Sequence, residues 1–301
     1  MVRNRKITYI FSIALVVVSL SALFAWKLKL GIDFTGGSLL EAEYADGRPE
    51  ISKIQQSVDG LGFGNIVLQP SGEKDLIVRL KDLSAEEHKA LLDALKIEGK
   101  TPMEKRFDSI GPVIGKELKR KSLIAIGIVV LMIILYIAWA FRKVSRPVSS
   151  WKYGVVAVIA LIHDITIPTG VFAFLGHFKG VEVDILFITA LLTTLGFSVH
   201  DTIVVFDRIR ENLRRDAGKS FPEVVEHSIR QTLARSIFTS MTVILVLIAL
   251  LLFGGPSTKY FSLALLLGVT FGTYSSICLA SPLLVTWQKW NEKTKQEKLK
   301  R

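Results

Sequence analysis

Residues 183–206 read VDILFITALLTTLGFSVHDTIVVF, a run whose only ionisable side chains are Asp184, His200 and Asp201. A hydrocarbon core of about 30 Å needs about 20 apolar residues of helix, so the run is long enough to cross a bilayer. A carboxylate at the centre of such a span costs about 2.5–3.5 kcal/mol on insertion scales. Asp201 stands six residues before Asp207, where the charged rim begins, or about 9 Å from it at the helical rise. This one stretch sets the class: a helical membrane protein that keeps a charge where charge is expensive.

Working outward from it, five more runs of similar length occur at residues 7–26, 122–141, 155–175, 236–253 and 260–287. The chain of 301 residues is 50% hydrophobic, with a net charge of +11. A basic balance can signal nucleic acid, but the position of the excess argues against that partner. Residues 27–121 carry 16 basic and 16 acidic side chains, so the whole excess lies beside the apolar runs. That is the pattern of the positive-inside rule and of contact with membrane lipid.

The basic clusters orient the spans. Arg3, Arg5 and Lys6 precede the first; Arg142, Lys143, Arg146 and Lys152 follow the second. Seven arginines and lysines lie between the fourth and fifth, and six more in the tail at 288–301. The third and fifth connections hold only Lys179 and Lys259. Both termini are therefore expected in the cytoplasm. Residues 27–121 are expected outside, because long loops cross regardless of charge. The expected organisation is a cytoplasmic start and first helix at 1–26, an extracytoplasmic domain at 27–121, and a five-helix bundle at 122–287 with a cytoplasmic loop at 207–235. Trp26, Trp139, Trp151, Trp287 and Trp290 fall near span ends, where interfacial anchors sit. A rival reading takes the first run as a signal peptide cleaved near Ser19-Leu20-Ser21. The run continues through Trp26, longer than the usual 7–15 residues of such a segment. The single cysteine, Cys278, permits no intrachain disulfide and reads as a small packing residue.

The external segment reads as a small α/β domain. Residues 39–44 form a strand ended by Asp46-Gly47, and Pro49 opens a helix with Ile51, Ile54, Val58 and Leu61 on one face. Strands at 65–69 and 76–80 flank a Pro70-Ser71-Gly72 turn. Ser84 and Glu87 form a capping box for a second helix, and residues 103–107 make a last strand. The order βαββαβ is that of a ferredoxin-like fold. No catalytic set is present, so the chain is expected not to be an enzyme and to need no cofactor. The glycines at 60, 62 and 64 follow a helix at the wrong spacing for a dinucleotide site, and Gly36-Gly37 lacks a Walker lysine.

The chemistry lies inside the membrane. His163 and Asp164 sit in the third span, His200 and Asp201 in the fourth, and Arg235 begins the fifth. Consecutive spans run antiparallel, so both His-Asp pairs fall between the cytoplasmic rim and the midplane. A carboxyl group in low dielectric favours its neutral form and can bind and release a proton, while a nearby arginine favours the ionised form. Competition between the two makes a protonation switch. The bland reading is a static ion pair, and for the histidines a hydrogen bond to a neighbour. Two His-Asp pairs without a third anchoring ligand make a poor metal site. Ser198, His200 and Asp201 on one helix do not converge as a hydrolase triad. Gly268, Gly272, Ser276 and Ala280 form a small-residue stripe that permits close helix approach, and Ser236, Thr239, Ser240 and Thr242 add polar contacts. Asp207 to Arg215 continues the fourth span as a polar helix, and Ser220-Phe221-Pro222-Glu223 starts a separate interfacial helix.

Three motifs resemble the SecD/SecF family: Gly31-Ile32-Asp33-Phe34-Thr35-Gly36-Gly37, Asp201-Thr202-Ile203-Val204-Val205-Phe206-Asp207-Arg208-Ile209-Arg210-Glu211-Asn212, and Phe253-Gly254-Gly255-Pro256. Six spans with one external domain after the first match its SecF branch. The resemblance implies an accessory subunit of the bacterial Sec translocase in the cytoplasmic membrane, a member of the RND superfamily driven by the proton-motive force. It also implies SecD, the SecYEG channel, YajC and an unfolded exported polypeptide as partners. Family proton-conduction residues fall on Asp201 and Arg235, and Asp33, Gly36 and Gly37 match a motif that positions the external domain. Rival readings are a small-molecule exporter of the same superfamily and a non-conducting scaffold for SecD.

Overall fold

The computed structural model describes residues 2–141, 149–215 and 218–299. A 3-10 turn, Val2–Asn4, leads into α1, Arg5–Trp26. The short helix α2, Ile32–Thr35, precedes β1, Gly37–Glu43; then come α3, Ile51–Asp59; β2, Val67–Ser71; β3, Asp75–Leu80; α4, Ala85–Ala94; and β4, Met103–Ile110. The rest is helical: α5, Pro112–Ala140; α6, Ser150–Lys179; α7, Ile185–Arg215; α8, Phe221–Phe253; and α9, Pro256–Ser275. A π-helical turn, Ser276–Ala280, joins α9 to α10, Ser281–Leu299. Two compact units result: Leu30–Leu123, and Met1–Lys29 with Ile124–Arg301. Arg142, Lys143, Arg146 and the end of the basic tail at Lys300 and Arg301 lie outside the described residues.

In the first of these, the sheet order is β2-β3-β1-β4 with every pairing antiparallel. A βαββαβ chain that puts both helices on one face of the sheet gives this order, as the ferredoxin-like reading requires. Leu40 on β1 sits opposite Val78 on β3, and Ala42 opposite Leu76. All four are buried with Ile54 and Val58 of α3, Leu91 of α4 and Leu95 just after it. Tyr44 is buried among them; its hydroxyl donates to the Leu95 carbonyl at 2.9 Å, and burial pushes its pKa up to about 12. The Ser84–Glu87 capping box forms as expected, with Ser84 N–H donating to Glu87 at 2.9 Å. Pro70, expected in the turn, instead sits in β2 opposite Leu76. The edge position tolerates it, because a proline has no N–H to give to a further strand.

Among the described residues of the other unit, six helices are long and apolar enough to cross a membrane. Helix α1 packs along α6, where a Cβ at Gly170 would come within 2.5 Å of Ser19 Cα. Helix α9 packs on α7 through the small-residue stripe: a Cβ at Gly268 would come within 2.8 Å of Thr194 Cβ, and one at Gly272 within 3.1 Å of Ser198 Cβ. Backbones this close leave no room for side chains between them.

The fourth span and the polar stretch after it are one helix, α7, as expected. Two features differ from the expectation. The segment read as a separate interfacial helix is the first part of α8, which runs unbroken from Phe221 into the fifth span. The Ser220–Glu223 capping box and Pro222 open it as foreseen, but no glycine or proline follows before Gly254 to break it. The last span contains the π turn. Pro282 has no N–H for the helical bond back to residue 278 and crowds that carbonyl. A wider turn just before it absorbs the misfit, and Ser281 Oγ donates to the Ser276 carbonyl at 3.0 Å.

Candidate functional site: two carboxylates in the helical bundle

Asp164 is carried by α6 and Asp201 by α7, and both are buried, at 0% and 5% exposure. Asp164 Oδ1 lies 2.9 Å from His163 Nδ1. Its Oδ2 accepts from Ser198 Oγ of α7 at 2.5 Å and from Ser275 Oγ of α9 at 2.7 Å. Asp201 Oδ1 accepts from Ser236 Oγ of α8 at 2.5 Å, and its Oδ2 accepts from Ser276 Oγ of the π turn. Successive residues, Ser275 and Ser276, therefore hold the two carboxylates. Behind them Ser240 meets Thr273 at 2.5 Å and donates to the Ser236 carbonyl at 2.7 Å.

Four hydroxyls and one imidazole thus surround two carboxylates, and among the described residues no lysine or arginine pairs with either. A hydroxyl can donate to a carboxylate or accept from a carboxylic acid, so these contacts can be satisfied in both protonation states. An arginine, which has no acceptor, would favour one state only. His163 is buried beside Tyr274, and its Nε2 has no hydrogen-bond partner among the described residues.

The expected partnership of Asp201 with Arg235 is not present. Arg235 is exposed and lines a 340 Å³ pocket with Asp207, Arg208 and Glu211, while its neighbour Ser236 turns inward to the carboxylate. On a helix, neighbouring side chains point about 100° apart, so with Ser236 aimed at Asp201 the Arg235 side chain is turned away from that carboxylate, toward Asp207 and Glu211. For the same reason His200 is exposed and takes no part in the cluster, unlike His163.

The remaining signature residues hold backbone in place. Arg208 donates to Gln231 at 2.6 Å and to Glu211 at 2.5 Å, Asp207 pairs with Arg210 at 3.4 Å, and Asn212 donates to Ser228 and Gln231. The bonds of Arg208 and Asn212 to Gln231 and Ser228 tie the end of α7 to the start of α8, and the other two lie within α7. In the glycine motif, Asp33 lies in the first turn of α2. Gly36 has φ +77° and a Cβ there would come within 2.7 Å of Pro112 Cα; one at Gly37 would come within 2.6 Å of the Leu80 carbonyl oxygen. Only glycine fits either place.

The serines are what sequence reading missed. Nothing in the sequence singles out Ser275; Ser276 reads as part of the packing stripe, and Ser236 as a polar contact with no partner assigned. Hydroxyls carry little hydropathy signal; the available clue was helical spacing, since Ser276 continues the Gly268–Gly272 face that meets α7.

Comparison with known proteins agrees with the motifs. The profile for "Protein export membrane protein SecD/SecF, C-terminal" matches residues 91–290, and that for the "SecD/SecF GG Motif" matches residues 22–46. The chain belongs to the SecD/SecF family. Among its relatives in that family is the protein translocase subunit SecF of Thermobaculum terrenum, 43% identical over 300 residues, covering 95% of this chain and 93% of that protein. The SecF of Anaerolinea thermophila is 40% identical over 288 residues, covering 95% and 92%. The crystal structure of SecDF, a translocon-associated membrane protein from Thermus thermophilus, is 32% identical and superposes with a TM-score of 0.83 over 96% of this chain. The match spans 38% of that longer chain. SecDF in its super-membrane-facing form gives a TM-score of 0.68 over 100% of this chain and 39% of that one.

Proposed function

We infer that this SecD/SecF family member is an accessory subunit of the Sec protein translocase, acting with SecD in a bacterial cytoplasmic membrane to promote protein export. We further propose that it uses the proton-motive force through Asp201 and Asp164, with both termini cytoplasmic and the ferredoxin-like unit outside. SecYEG, YajC and the exported polypeptide enter as partners on family grounds.

The observation that carries the proton reading is the hydroxyl cage. Protonating Asp201 turns one of its oxygens into a donor, and the serine facing that oxygen, Ser236 or Ser276, changes from donor to acceptor. Those serines sit on α8 and on the π turn, so the exchange alters a contact between α7 and one of these neighbours. Arg235, one residue from Ser236, is the cation that would engage the ionised carboxylate in the alternative state. A proton falling through 100 mV supplies about 2.3 kcal/mol, enough to bias two packings of similar energy. The 2.9 Å contact of His163 Nδ1 with Asp164, and an Nε2 without a hydrogen-bond partner among the described residues, support a proton exchange between the two.

The test is export of a secreted reporter in cells carrying Asp201→Asn at matched membrane level, with SecD co-purification measured alongside. Export should fall at least tenfold while assembly stays intact. Normal export would end the proton reading at Asp201 and favour a scaffold; loss of SecD binding would mark the residue as structural.

A further inference from the structure

A second cavity, of about 1090 Å³, opens at the end of the bundle where the chain begins. Its walls come from the start of α1, the start of α8, and α10. Val2 is buried in the bundle core, and its backbone N–H donates to Glu226 Oε2 of α8 at 2.7 Å. Tyr9 of α1 meets Thr286 of α10 at 2.8 Å. The three walls are thus fastened to one another and the cavity is preformed.

Its charge is unbalanced. Arg3, Arg5, Lys6, Arg230 and Lys289 face two carboxylates, Glu223 and Glu226. Both carboxylates are engaged: Glu223 caps α8 through Ser220 N–H at 3.0 Å, and Glu226 accepts from Val2 and, at 3.3 Å, from Arg230. Among the described residues Arg3, Arg5, Lys6 and Lys289 have no carboxylate partner. The positive-inside rule accounts for bases at this rim. It does not account for their convergence from three helices on one concavity.

The cavity also has an apolar side. Ile7 lines it, and Ile10 and Phe11 continue from it along α1 as exposed side chains. A free phosphate would use the cations and leave the stripe bare. A molecule with an anionic head and hydrocarbon tails uses both. We propose that this cavity binds the headgroup of an anionic phospholipid, with its acyl chains lying along α1. Basic pockets between helix ends are suited to such headgroups.

The full chain, reconstituted in nanodiscs of phosphatidylcholine with graded phosphatidylglycerol and then released for native mass spectrometry, reports which lipid it retains. Phosphatidylglycerol should be retained over phosphatidylcholine by the wild type, a result that needs no variant. Arg5→Gln with Lys289→Gln should weaken that retention by about fivefold per cation removed. Arg5→Lys with Lys289→Arg should keep it, as should the control Arg214→Gln with Arg215→Gln. Equal retention of the two lipids by the wild type would overturn the proposal. So would equal losses in the cavity and control variants, which would mark a general surface charge. Binding of inorganic phosphate in pure phosphatidylcholine discs, with displacement of phosphatidylglycerol, would reassign the cavity to a soluble anion.

Discussion

The two units of this chain solve burial in opposite ways. The unit at Leu30–Leu123 buries Leu40, Ile54, Val58, Leu76, Leu91 and Leu95, and pairs its charges at the surface, as in Lys53–Glu98 and Lys81–Glu87. The helical bundle exposes Ile10, Phe24, Leu252 and Phe253, and closes its interior around Asp164, Asp201 and a set of serines. Water drives the first arrangement. In lipid, apolar surface gains nothing by leaving the solvent, so close packing and interior hydrogen bonds hold the helices instead. That interior is also where an ionisable group can be insulated from water and made to answer to a proton gradient.

The contrast is broken most sharply by one leucine in each unit. Leu91→Ala empties a fully buried site between α4 and the sheet and should cost about 2–5 kcal/mol. Leu252→Ala removes a side chain 68% exposed on α8 and should cost close to nothing. Hydrogen exchange on the full chain, followed separately in the two units, reads both. Equal destabilisation would mean that Leu252 is covered by protein and not by lipid.

The next effect tests packing in the bundle. Gly268→Leu forces a side chain into Thr194 across the α7–α9 contact and should cost about 1–3 kcal/mol in thermal unfolding of the detergent-solubilised chain. Gly196→Leu on α7 meets nothing within 4 Å and should be neutral or slightly stabilising, since leucine is the better helix former. A Gly196 variant as damaging as the Gly268 one would point to a partner helix covering that face.

How much of this was legible follows the same divide. The apolar runs announce themselves through composition, and the α/β unit through alternation and turn residues, so the spans and the βαββαβ order could be read directly. A helix start was misplaced where polarity was taken for a boundary: α8 carries charge from Glu223 to Arg235 without a residue that breaks a helix. The two aspartates stood out because charge is rare in a span. Their partners did not, because a serine in a membrane helix looks like any small packing residue. Sequence reading offered Arg235 to Asp201 because it begins the next span on the same side and carries the opposite charge; the helix turns Ser236 to it instead. The π turn, which follows from Pro282 acting on the preceding carbonyls, was not read from the sequence.

The smallest effect sharpens the comparison from the water-soluble side, where carboxylates answer to local neighbours in either direction. Glu41, half-buried on β1 beside Arg106 and Asp108 of β4, has its pKa raised above 4.5, chiefly by burial, against the pull of Arg106. Its folded form holds the proton more tightly than the unfolded chain does, so the stability it contributes is present in acid below the unfolded value and is lost as pH rises through the raised one. Glu98 is the reverse. Its hydrogen bond and ion pair with Lys53 at 2.5 Å lower its pKa, so its contribution is present above the unfolded value and is lost as pH falls through the lowered one. Glu41→Gln should therefore stabilise the α/β unit at pH 7 by up to about 0.5 kcal/mol, an advantage that is gone below about pH 4.5. Glu98→Gln should weaken it slightly at pH 7 and be silent in acid. Exchange rates in the sheet at pH 4 and pH 7 decide the matter: if both substitutions move stability in the same direction at neutral pH, burial and pairing are not what separates these two carboxylates.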